Sequence, residues 1–420
     1  MLIVHIKKIE NGGKMNKIKN IVIVCDYAFF EGGAANVAIQ SILAFAKYTN
    51  LNVYCFAGCG EPCEQLEESR ANVVALKMPD LLGNRNKLNA FMRGIYNKTA
   101  GEELRKLLCT LKKEETIVHI HTWTKVLSSS VFKICEEMDF RTYLTIHEYF
   151  LACPNGACYN YVDQKICELE PMSIKCIKCN CDARNYPQKL WRCLRQAKQN
   201  SVIRHNKNLN YVFISEYQKK QLLRRIPEIK NKYLVKNPIN IGQRMSIKAE
   251  NNSAYIYIGR LSGEKGPQLF CKAITKAGVH GIVIGKGILE KELRMMYPNI
   301  EFTGWQNKSQ IDEILKKTRA LIFPTLWYEG SPLTVPEVQA KGIPCIVTDC
   351  SSAIDDIVQN RNGEIVKANV DSLVAAINRF EDDKYVKKLR ENTYQMFDEK
   401  RGSEECYVNR LMQIYEENNK

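Results

Sequence analysis

The sequence predicts an α/β protein built from two doubly wound domains of similar size. Two series of short apolar segments indicate this fold, because each alternates buried-strand runs with helical stretches, as parallel βαβ units require. The polar, strand-poor residues 237–253 separate the two series. They predict a boundary between a first domain, residues 1–240, and a second domain, residues 241–420. A chain of 420 residues is long enough for both.

The individual strands follow from short apolar runs between turn signals. The first series begins with a strand at Ile21–Val24 and a helix at Ala34–Ala46. Its later strands are predicted at Leu51–Phe56, Thr116–His121, Thr142–Ile146 and Tyr211–Ile214. The second series comprises Ala254–Gly259, Gly281–Ile284, Ile300–Thr303, Ala320–Pro324 and Cys345–Asp349. Ligands of such sheets bind at the carboxyl ends of the strands, so we expect a site in the cleft between the domains.

Composition excludes several classes of protein. The chain is 45% hydrophobic and 25% charged, which excludes disorder as its main character. No apolar run approaches the ~18 residues of a membrane-spanning helix. The apolar stretch in the opening MLIVHIKKIENGGKMNK is too short for a signal peptide, so this segment reads as a loose leader with Met15 as an alternative start. We therefore expect a cytoplasmic protein whose 17 cysteines stay reduced or bind metal.

The positive charge is concentrated in the first domain. Residues 1–240 carry 36 Lys/Arg and 22 Asp/Glu, whereas residues 241–420 carry 25 and 24. Residues 171–240 alone hold 16 basic and 3 acidic side chains. Such a one-sided field favours a phosphate-rich partner: nucleic acid, anionic lipid headgroups or a phosphorylated substrate. A solvated basic face that keeps the protein soluble is the alternative.

Two cations follow the first strand of the second domain. In YIGRLSGEKGP, residues 257–267, Arg260 and Lys265 lie on the loop that leads into the next helix. Two cations beside the free amides of a helix start would suit a diphosphate. An ordinary βα loop with solvated basic residues is the alternative. Gly285-Lys286-Gly287 is only part of a dinucleotide fingerprint, because Glu290 stands where the third glycine belongs.

A later stretch, residues 320–350, contains two spaced carboxylates. An apolar strand leads to a loop with Glu329, and Ser331 is predicted to cap a helix that places Glu337 in its second turn. The two carboxylates would approach two parts of one elongated ligand, and free amides around Ser331–Thr334 would meet its phosphate. As an alternative, Glu329 is a loop carboxylate that favours the helix dipole.

The R-x4-K and E-x7-E patterns inside two Rossmann-like domains resemble the GT-B glycosyltransferases of glycosyltransferase family 4. The resemblance covers the second domain nearly end to end, through GRLSGEKG, FTGW, EGSPLTVPE and GIPCIVTDC. In the first domain it is looser, with EGGAAN at 31–36, HIHTW at 119–123 and TIHEYF at 145–150. It implies a GT-B fold and a retaining, hexosyltransferase-like transfer from a nucleotide-diphosphate sugar.

The resemblance also implies roles for individual residues. Glu329, which would contact the donor sugar, and His147, near that sugar, are the implied catalytic residues. The implied donor-binding residues are Gly32, Gly33, Arg260, Lys265, Gly304, Trp305, Gly330, Ser331, Leu333, Thr334 and Glu337. Among these, the two cations would neutralise the diphosphate, so no catalytic metal is expected.

Further family roles concern the nucleoside, and some positions depart from the family pattern. Glu337 would bind the ribose hydroxyls, and Gly304 and Trp305 would meet the base. Glu148 follows His147 where aspartate is commoner, and Pro336 stands inside the first helical turns. Without the resemblance, His147 would be read as a hydrogen-bonded core histidine. That reading is retained for two other histidines, His119 and His121.

A cysteine-rich, basic segment at Phe150–Ser201 is predicted to be an insertion on the first domain. It holds Cys153, Cys158, Cys167, Cys176, Cys179, Cys181 and Cys193. The Cys176-x2-Cys179 spacing predicts a structural zinc site completed by Cys153 and Cys167, with Cys181 as a replacement ligand. Reduced thiols without metal, an iron–sulfur cluster and disulfides are the alternatives.

These expectations together describe a glycosyltransferase that extends a glycan acceptor for a surface polysaccharide. By analogy with the family the acceptor is lipid-linked, and the basic segment would lie against the anionic inner face of the membrane. Two other functions stay open. One is a nucleic-acid-binding protein that uses the cysteine-rich basic segment, although no nucleic-acid partner is expected. The other is a GT-B hydrolase or epimerase acting on the same nucleotide sugar.

Overall fold

The structure is a computed structural model that describes residues 17–204, 206, 208–239, 241, 244–398 and 402–418. Residues 1–16, with the predicted leader and Met15, lie outside the described residues, as does Asn240 at the predicted domain boundary. Among the described residues, no helix is both long and apolar enough to cross a membrane.

The first domain contains a parallel sheet whose strands follow the order β3-β2-β1-β4-β5-β8-β9. Its strands and those of a small hairpin, β6–β7, are β1 (Asn20–Tyr27), β2 (Asn52–Cys59), β3 (Asn72–Ala75), β4 (Thr116–Ile120), β5 (Arg141–Ile146), β6 (Tyr159–Asn160), β7 (Lys165–Ile166), β8 (Leu209–Phe213) and β9 (Lys232–Leu234). The helices are α1 (Gly32–Tyr48), α2 (Glu64–Glu67), α3 (Lys87–Ile95), α4 (Lys98–Cys109), α5 (Ser130–Glu137), α6 (Ile174–Lys178), α7 (Tyr186–Ile203) and α8 (Glu216–Leu223).

The second domain contains a parallel sheet in the order β12-β11-β10-β13-β14-β15. Its strands are β10 (Ala254–Ile258), β11 (His280–Ile284), β12 (Glu301–Gly304), β13 (Thr318–Phe323), β14 (Cys345–Thr348) and β15 (Gly363–Val366). The remaining helices are α9 (Pro267–Ala277), α10 (Glu290–Met296), α11 (Lys308–Leu315), α12 (Thr334–Gln339), α13 (Val370–Phe380), α14 (Asp383–Met396) and α15 (Glu404–Glu417). The prediction of two doubly wound domains is confirmed.

Both faces of each sheet are buried, as parallel sheets require. Along β1, Val22 and Val24 face one core cluster while Ile21 and Ile23 face the other. Because both faces are covered, the central strands are continuous apolar runs, and such runs could be predicted from the sequence.

The last helix, α15, returns to the first domain although residues 241–420 were predicted to form the second. Tyr407 and Tyr415 join the core beside α1, and the Tyr407 hydroxyl lies 3.2 Å from that of Ser41. Tyr415 also hydrogen-bonds the buried His119. The chain therefore crosses twice between the domains.

Helix α7 also differs from the prediction, which assigned it to the insertion. It connects the adjacent strands β5 and β8, so it is a crossover helix of the first sheet. Its buried face includes Lys189, Arg195, Gln196 and Gln199. Because these buried positions are polar, the sequence of α7 lacks the apolar periodicity by which a packed helix is recognised. The inserted segment is consequently shorter and ends before Tyr186.

Candidate active site

The loop after β10 is held against the end of β13. Gly266 adopts a φ of +70°, and a Cβ there would lie 2.0 Å from the carbonyl oxygen of Pro324, so only glycine allows this approach. The amide of Leu326 donates to the carbonyl oxygen of Glu264 at 2.8 Å. The two loops that carry the predicted donor-binding residues therefore form one surface.

Lys265 and Glu329, predicted from separate motifs, contact each other. The Lys265 ammonium forms an ion pair with Glu329 Oε2, and both side chains are 17% exposed. Trp327 Nε1 donates to the same carboxylate oxygen at 2.8 Å, and the ammonium lies 4.9 Å from the centroid of the Trp327 ring. This carboxylate is therefore oriented by a cation and an indole.

Arg260 lies on the same loop and is 68% exposed. Its Nη2 atom is 3.4 Å from Oε1 of Glu264, a buried carboxylate that also accepts from the Ser262 hydroxyl at 2.7 Å. Glu264 was not identified in the sequence. The only hint in the sequence was that Glu264 directly precedes Lys265 in a tight turn, where its carboxylate could reach the neighbouring side chains.

The start of α12 corrects one prediction. The helix begins at Thr334 after Leu333, so the prediction that Ser331 caps it is wrong, and Glu337 lies in the first turn. The physical reason is that the preceding loop is held by other contacts: Ser215 Oγ donates to the Gly330 carbonyl at 2.7 Å, and Ser352 donates its amide to the Glu329 carbonyl at 3.1 Å.

Glu337 is half-buried on α12. Burial raises its pKa to about 7, with Lys308 opposing and Asp312 reinforcing the shift. A carboxylate with this pKa changes its charge near neutral pH.

The first domain contributes His147 at the end of β5. Its Nε2 lies 3.1 Å from Nδ1 of His121, and burial lowers the pKa of His147 to about 4, so the ring is neutral at physiological pH. A Cβ added to Gly330 would lie 3.1 Å from the His147 carbonyl oxygen. The predicted residues of the two domains thus meet directly across the cleft.

The other two histidines were predicted to be core residues. His119 is buried and hydrogen-bonded to Thr145 Oγ1 at 2.7 Å, which confirms that prediction. His121 is equally buried, but it contacts His147 and so supports the site. Because His119 and His121 are two residues apart, the sequence indicated that they share one face of the strand. It did not indicate that His121 contacts His147.

The predicted glycines lie at or just after the carboxyl ends of strands β1 and β12. Gly32 and Gly33 open the 17-residue helix α1 and are exposed, and a Cβ added to either would meet no other part of the described chain within 4 Å, its chain neighbours and own helix backbone aside. Gly304 ends β12 and accepts a bond of 2.8 Å from the Gly285 amide. The Trp305 residue that follows is 68% exposed.

Tyr328 joins the two domains and was missed in the sequence. Although it lies beside Glu329 on a second-domain loop, it is buried in a core cluster of the first domain. Its ring centroid lies 5.9 Å from those of both Tyr149 and Tyr217, and Arg225 stacks on it at 5.2 Å. This contact fixes the loop that carries Glu329.

The cysteine-rich segment contains a buried lysine among its thiols. Lys189 Nζ lies 3.3 Å from Cys181 Sγ and 3.6 Å from Cys176 Sγ. A hydrogen bond with Cys158 lowers the pKa of Cys153 to about 5. Within the described ranges, no group of three or more Cys, His, Asp or Glu side chains is arranged to hold a metal. The zinc site of Cys153, Cys167, Cys176 and Cys179 stays a prediction.

The hairpin of this segment reaches the second domain. A Cβ on Gly263 would lie 3.7 Å from the side chain of Gln164, in the turn between β6 and β7. The inserted segment therefore borders the loop that carries Arg260 and Lys265.

Residues 240–396 match the family described as glycosyl transferases group 1. The second domain is therefore similar to this family. An Escherichia coli protein, UDP-Gal:alpha-D-GlcNAc-diphosphoundecaprenol alpha-1,3-galactosyltransferase, is 28% identical over 157 residues, or 34% of this chain and 40% of the relative. The lipopolysaccharide 1,6-galactosyltransferase of Salmonella typhimurium LT2 is 28% identical over 186 residues, or 40% of this chain and 51% of the relative.

The match spans about half or less of these two curated relatives. A structural relative covers far more: Anabaena HepE in complex with UDP has a TM-score of 0.64 at 11% identity, over 95% of this chain and 100% of that chain. At this identity the likeness shows the fold, and the predicted GT-B fold is confirmed.

Proposed function

We propose that the protein is a retaining glycosyltransferase of family 4 that moves a sugar from a UDP-linked donor to a lipid-linked glycan. The observation that carries this proposal is the Lys265–Glu329 ion pair in the cleft of a GT-B fold, on a loop whose Gly330 packs against the His147 backbone of the first domain. The names of the relatives support the substrates. One acts on UDP-Gal and a diphosphoundecaprenol-linked sugar, another on lipopolysaccharide, and the structural relative holds UDP.

The ion pair in the cleft suggests how the donor is received. A diphosphate would bind the exposed Arg260 and draw Lys265 away from Glu329 through charge-assisted hydrogen bonds. The Glu329 carboxylate, still held by the Trp327 indole, would then accept hydrogen bonds from the sugar hydroxyls. The Lys265–Glu329 ion pair is thus replaced by a contact of Lys265 with the diphosphate and a contact of Glu329 with the sugar.

The nucleoside would bind on the other side of the diphosphate. Glu337 would accept hydrogen bonds from the ribose hydroxyls, and the exposed Trp305 would stack on the base. Both side chains are in contact with solvent, so a nucleoside can reach them.

In the transfer, the bond between the anomeric carbon and the donor phosphate oxygen breaks, and a bond from the acceptor oxygen to that carbon forms on the same face. Arg260 and Lys265 stabilise the charge that grows on the departing diphosphate. The proton of the acceptor hydroxyl passes to an oxygen of that diphosphate. Neutral His147 positions the sugar by a hydrogen bond and carries no proton away.

Attachment to the membrane is a second part of the proposal. Arg224 and Lys230 are exposed cations within the strongly basic residues 171–240. Arg225 is different, because it stacks on Tyr328 and donates to the Cys167 carbonyl at 3.0 Å. Arg224→Glu with Lys230→Glu should therefore weaken pelleting with anionic liposomes at low salt without disturbing the cleft. Equal pelleting of wild type and variant, or none, would contradict attachment at the cytoplasmic face through this segment.

Label transfer tests the function. Wild-type protein with radiolabelled UDP-sugars and an isoprenyl-diphosphate-linked glycan should yield a labelled lipid, whereas Glu329→Gln should lose at least ~100-fold in rate. Glu405→Gln, an exposed carboxylate on α15, is the matched control. Sugar release that needs no acceptor would favour the hydrolase. A gel shift with nucleic acid and no transfer would favour the nucleic-acid-binding protein.

A further inference from the structure

A large cavity lies beside the cleft, entirely in the first domain. Its volume is about 500 Å³, and its walls are α3, the first half of α7 and the loops that follow β3, β4 and β5. These loops lie at the carboxyl ends of the strands, the same edge of the sheet as His147. We call it the α3–α7 cavity.

The charged side chains that line the α3–α7 cavity are all cations. The cations that line it are Lys87, Lys125, Arg184, Arg192 and Arg195, and among the described lining residues there is no carboxylate. Lys87, Lys125 and Arg184 are exposed, and Arg192 is paired with Asp182 at 2.9 Å. The cavity is therefore complementary to an anion of several charges.

Arg195 is buried in the cavity wall with only 8% of its surface exposed. Its guanidinium donates to the carbonyl oxygens of Thr124 and Pro154 at 3.3 and 3.2 Å, and within the described chain no carboxylate lies within ion-pair distance. It stacks on Phe150 and Trp191 at 4.9 and 5.4 Å. Burial and the neighbouring Arg192 lower its pKa to about 10 even though Glu148, Asp26 and Asp182 oppose the shift, and a bound anion would stabilise its charged form further.

One wall of the cavity is apolar and fixed in place. Trp191 lies across α3, and its Nε1 donates to the Phe91 carbonyl at 3.2 Å. This packing requires Gly94, because a Cβ there would lie 2.4 Å from the Trp191 ring. Leu82 and Phe91, which also line the cavity, are 58% and 41% exposed.

The apolar surface continues outside the cavity along the same two helices. Leu88 and Met92 of α3 are 73% and 59% exposed, and Leu194 of α7 is 56% exposed. Exposed apolar side chains that adjoin a strongly basic cavity suit a ligand with a charged head and an apolar chain.

The cavity and the proposed reaction centre share two loops. Phe150 of the cavity follows His147 on the loop after β5, and Lys125 of the cavity follows His121, which contacts His147 at 3.1 Å, on the loop after β4. Glu148, next to His147, is exposed. A ligand whose head lies in the cavity can therefore extend its far end towards the cleft.

We propose that the α3–α7 cavity binds the diphosphate and first isoprene units of the lipid-linked acceptor. The cations bind the diphosphate, and Phe91, Trp191 and the exposed leucines bind the isoprenoid chain. The glycan then extends past Glu148 towards His147 and Glu329. This inference rests on the proposed function, since it assigns a place to that function's acceptor.

Direct binding tests the cavity separately from catalysis. Farnesyl diphosphate is titrated into the full-length protein by calorimetry at fixed salt, with saturating UDP to occupy the donor site. Inorganic diphosphate and farnesol are titrated as the two halves of the ligand. Farnesyl diphosphate should bind at least ~10-fold more tightly than either half.

Paired variants then locate the site. Lys87→Glu with Arg184→Glu should weaken farnesyl diphosphate at least ~10-fold, while Lys272→Glu with Lys291→Glu, exposed cations of the second domain with the same charge change, should not. Phe91→Ser should weaken farnesyl diphosphate and leave inorganic diphosphate unchanged. Equal affinities in cavity and control variants would overturn the inference, even if glycosyl transfer is observed. Binding that depends on the cavity without any transfer would support the inference and contradict the proposed function.

Discussion

The protonation of Glu337 provides a sharp test of the nucleotide site. Its pKa is raised to about 7 by burial on α12, and we propose that its ionised form binds the ribose hydroxyls. Two perturbations are therefore available: a change of pH across this pKa, and Glu337→Gln, which removes the ionisable group while keeping a similar shape. The assay is calorimetric titration of UDP at pH 6, 7 and 8.

The magnitude follows from the pKa. With a pKa of about 7, Glu337 is ionised in about one tenth of the molecules at pH 6 and about nine tenths at pH 8. If only the carboxylate binds ribose, wild-type affinity should rise ~10-fold over this range, or about 1.4 kcal/mol. The UDP phosphate also titrates near ~6, but the Gln variant shares that effect. The ratio of wild-type to variant affinity therefore isolates Glu337.

The raised pKa of Glu337 also affects the free energy of unfolding, and this effect falls with rising pH whereas the UDP affinity rises. Because the folded pKa of about 7 lies above the ~4.3 of an unfolded chain, the native state holds this proton more tightly. Its stabilising effect is complete below ~4.3 and is lost as the pH rises through 7. Glu337→Gln should therefore gain Tm relative to wild type more at pH 8 than at pH 6.

An affinity ratio that is independent of pH would contradict a role of ionised Glu337 in binding ribose. UDP affinity of Glu337→Gln equal to that of wild type at pH 8 would contradict it as well. Glu405→Gln is the matched control and should follow wild type throughout.

Three further predictions concern the cleft and the cysteine-rich segment. Arg260→Ala and Lys265→Ala should each weaken UDP binding by roughly 1.5–3 kcal/mol in calorimetry, and unchanged affinity of the double variant would contradict the diphosphate role. Tyr328→Ala should lower the free energy of unfolding by about 3 kcal/mol in denaturant titration, whereas Tyr328→Phe should stay near wild type because the ring packing is kept. If the predicted zinc site forms, chelator-free protein should contain about one zinc per chain by mass spectrometry, lost in Cys176→Ser and Cys179→Ser, whereas protein without zinc would favour the reduced thiols.

The central strands were predictable because a parallel sheet buries both faces. Ile21–Val24 and Ala320–Pro324 are apolar without interruption; the first run lies within β1, and the second forms most of β13, which ends at Phe323. In the two large sheets the strands that were missed, β3, β9 and β15, lie at the edges, and the two-residue hairpin strands β6 and β7 were missed as well. Edge strands are short and pack on fewer neighbours, so their apolar signal is weak.

The site residues that belong to local sequence motifs could be predicted from the sequence. The features that depend on contacts between the two domains could not. Lys265 and Glu329 were found separately, and their ion pair forms only after folding. The helix expected at Ser331 begins later because Ser215, over a hundred residues earlier in the chain, holds the Gly330 carbonyl. Tyr328 was missed for the same reason, since its packing partners belong to the other domain.

A crystal structure of the protein with UDP would test the central claim most directly. We expect the diphosphate to be bound by Arg260 and Lys265, the Lys265–Glu329 ion pair to be broken, and the ribose hydroxyls to lie within hydrogen-bond distance of Glu337. Density for UDP outside the cleft between the domains, or UDP bound with the Lys265–Glu329 pair intact and Glu337 without contact, would contradict it.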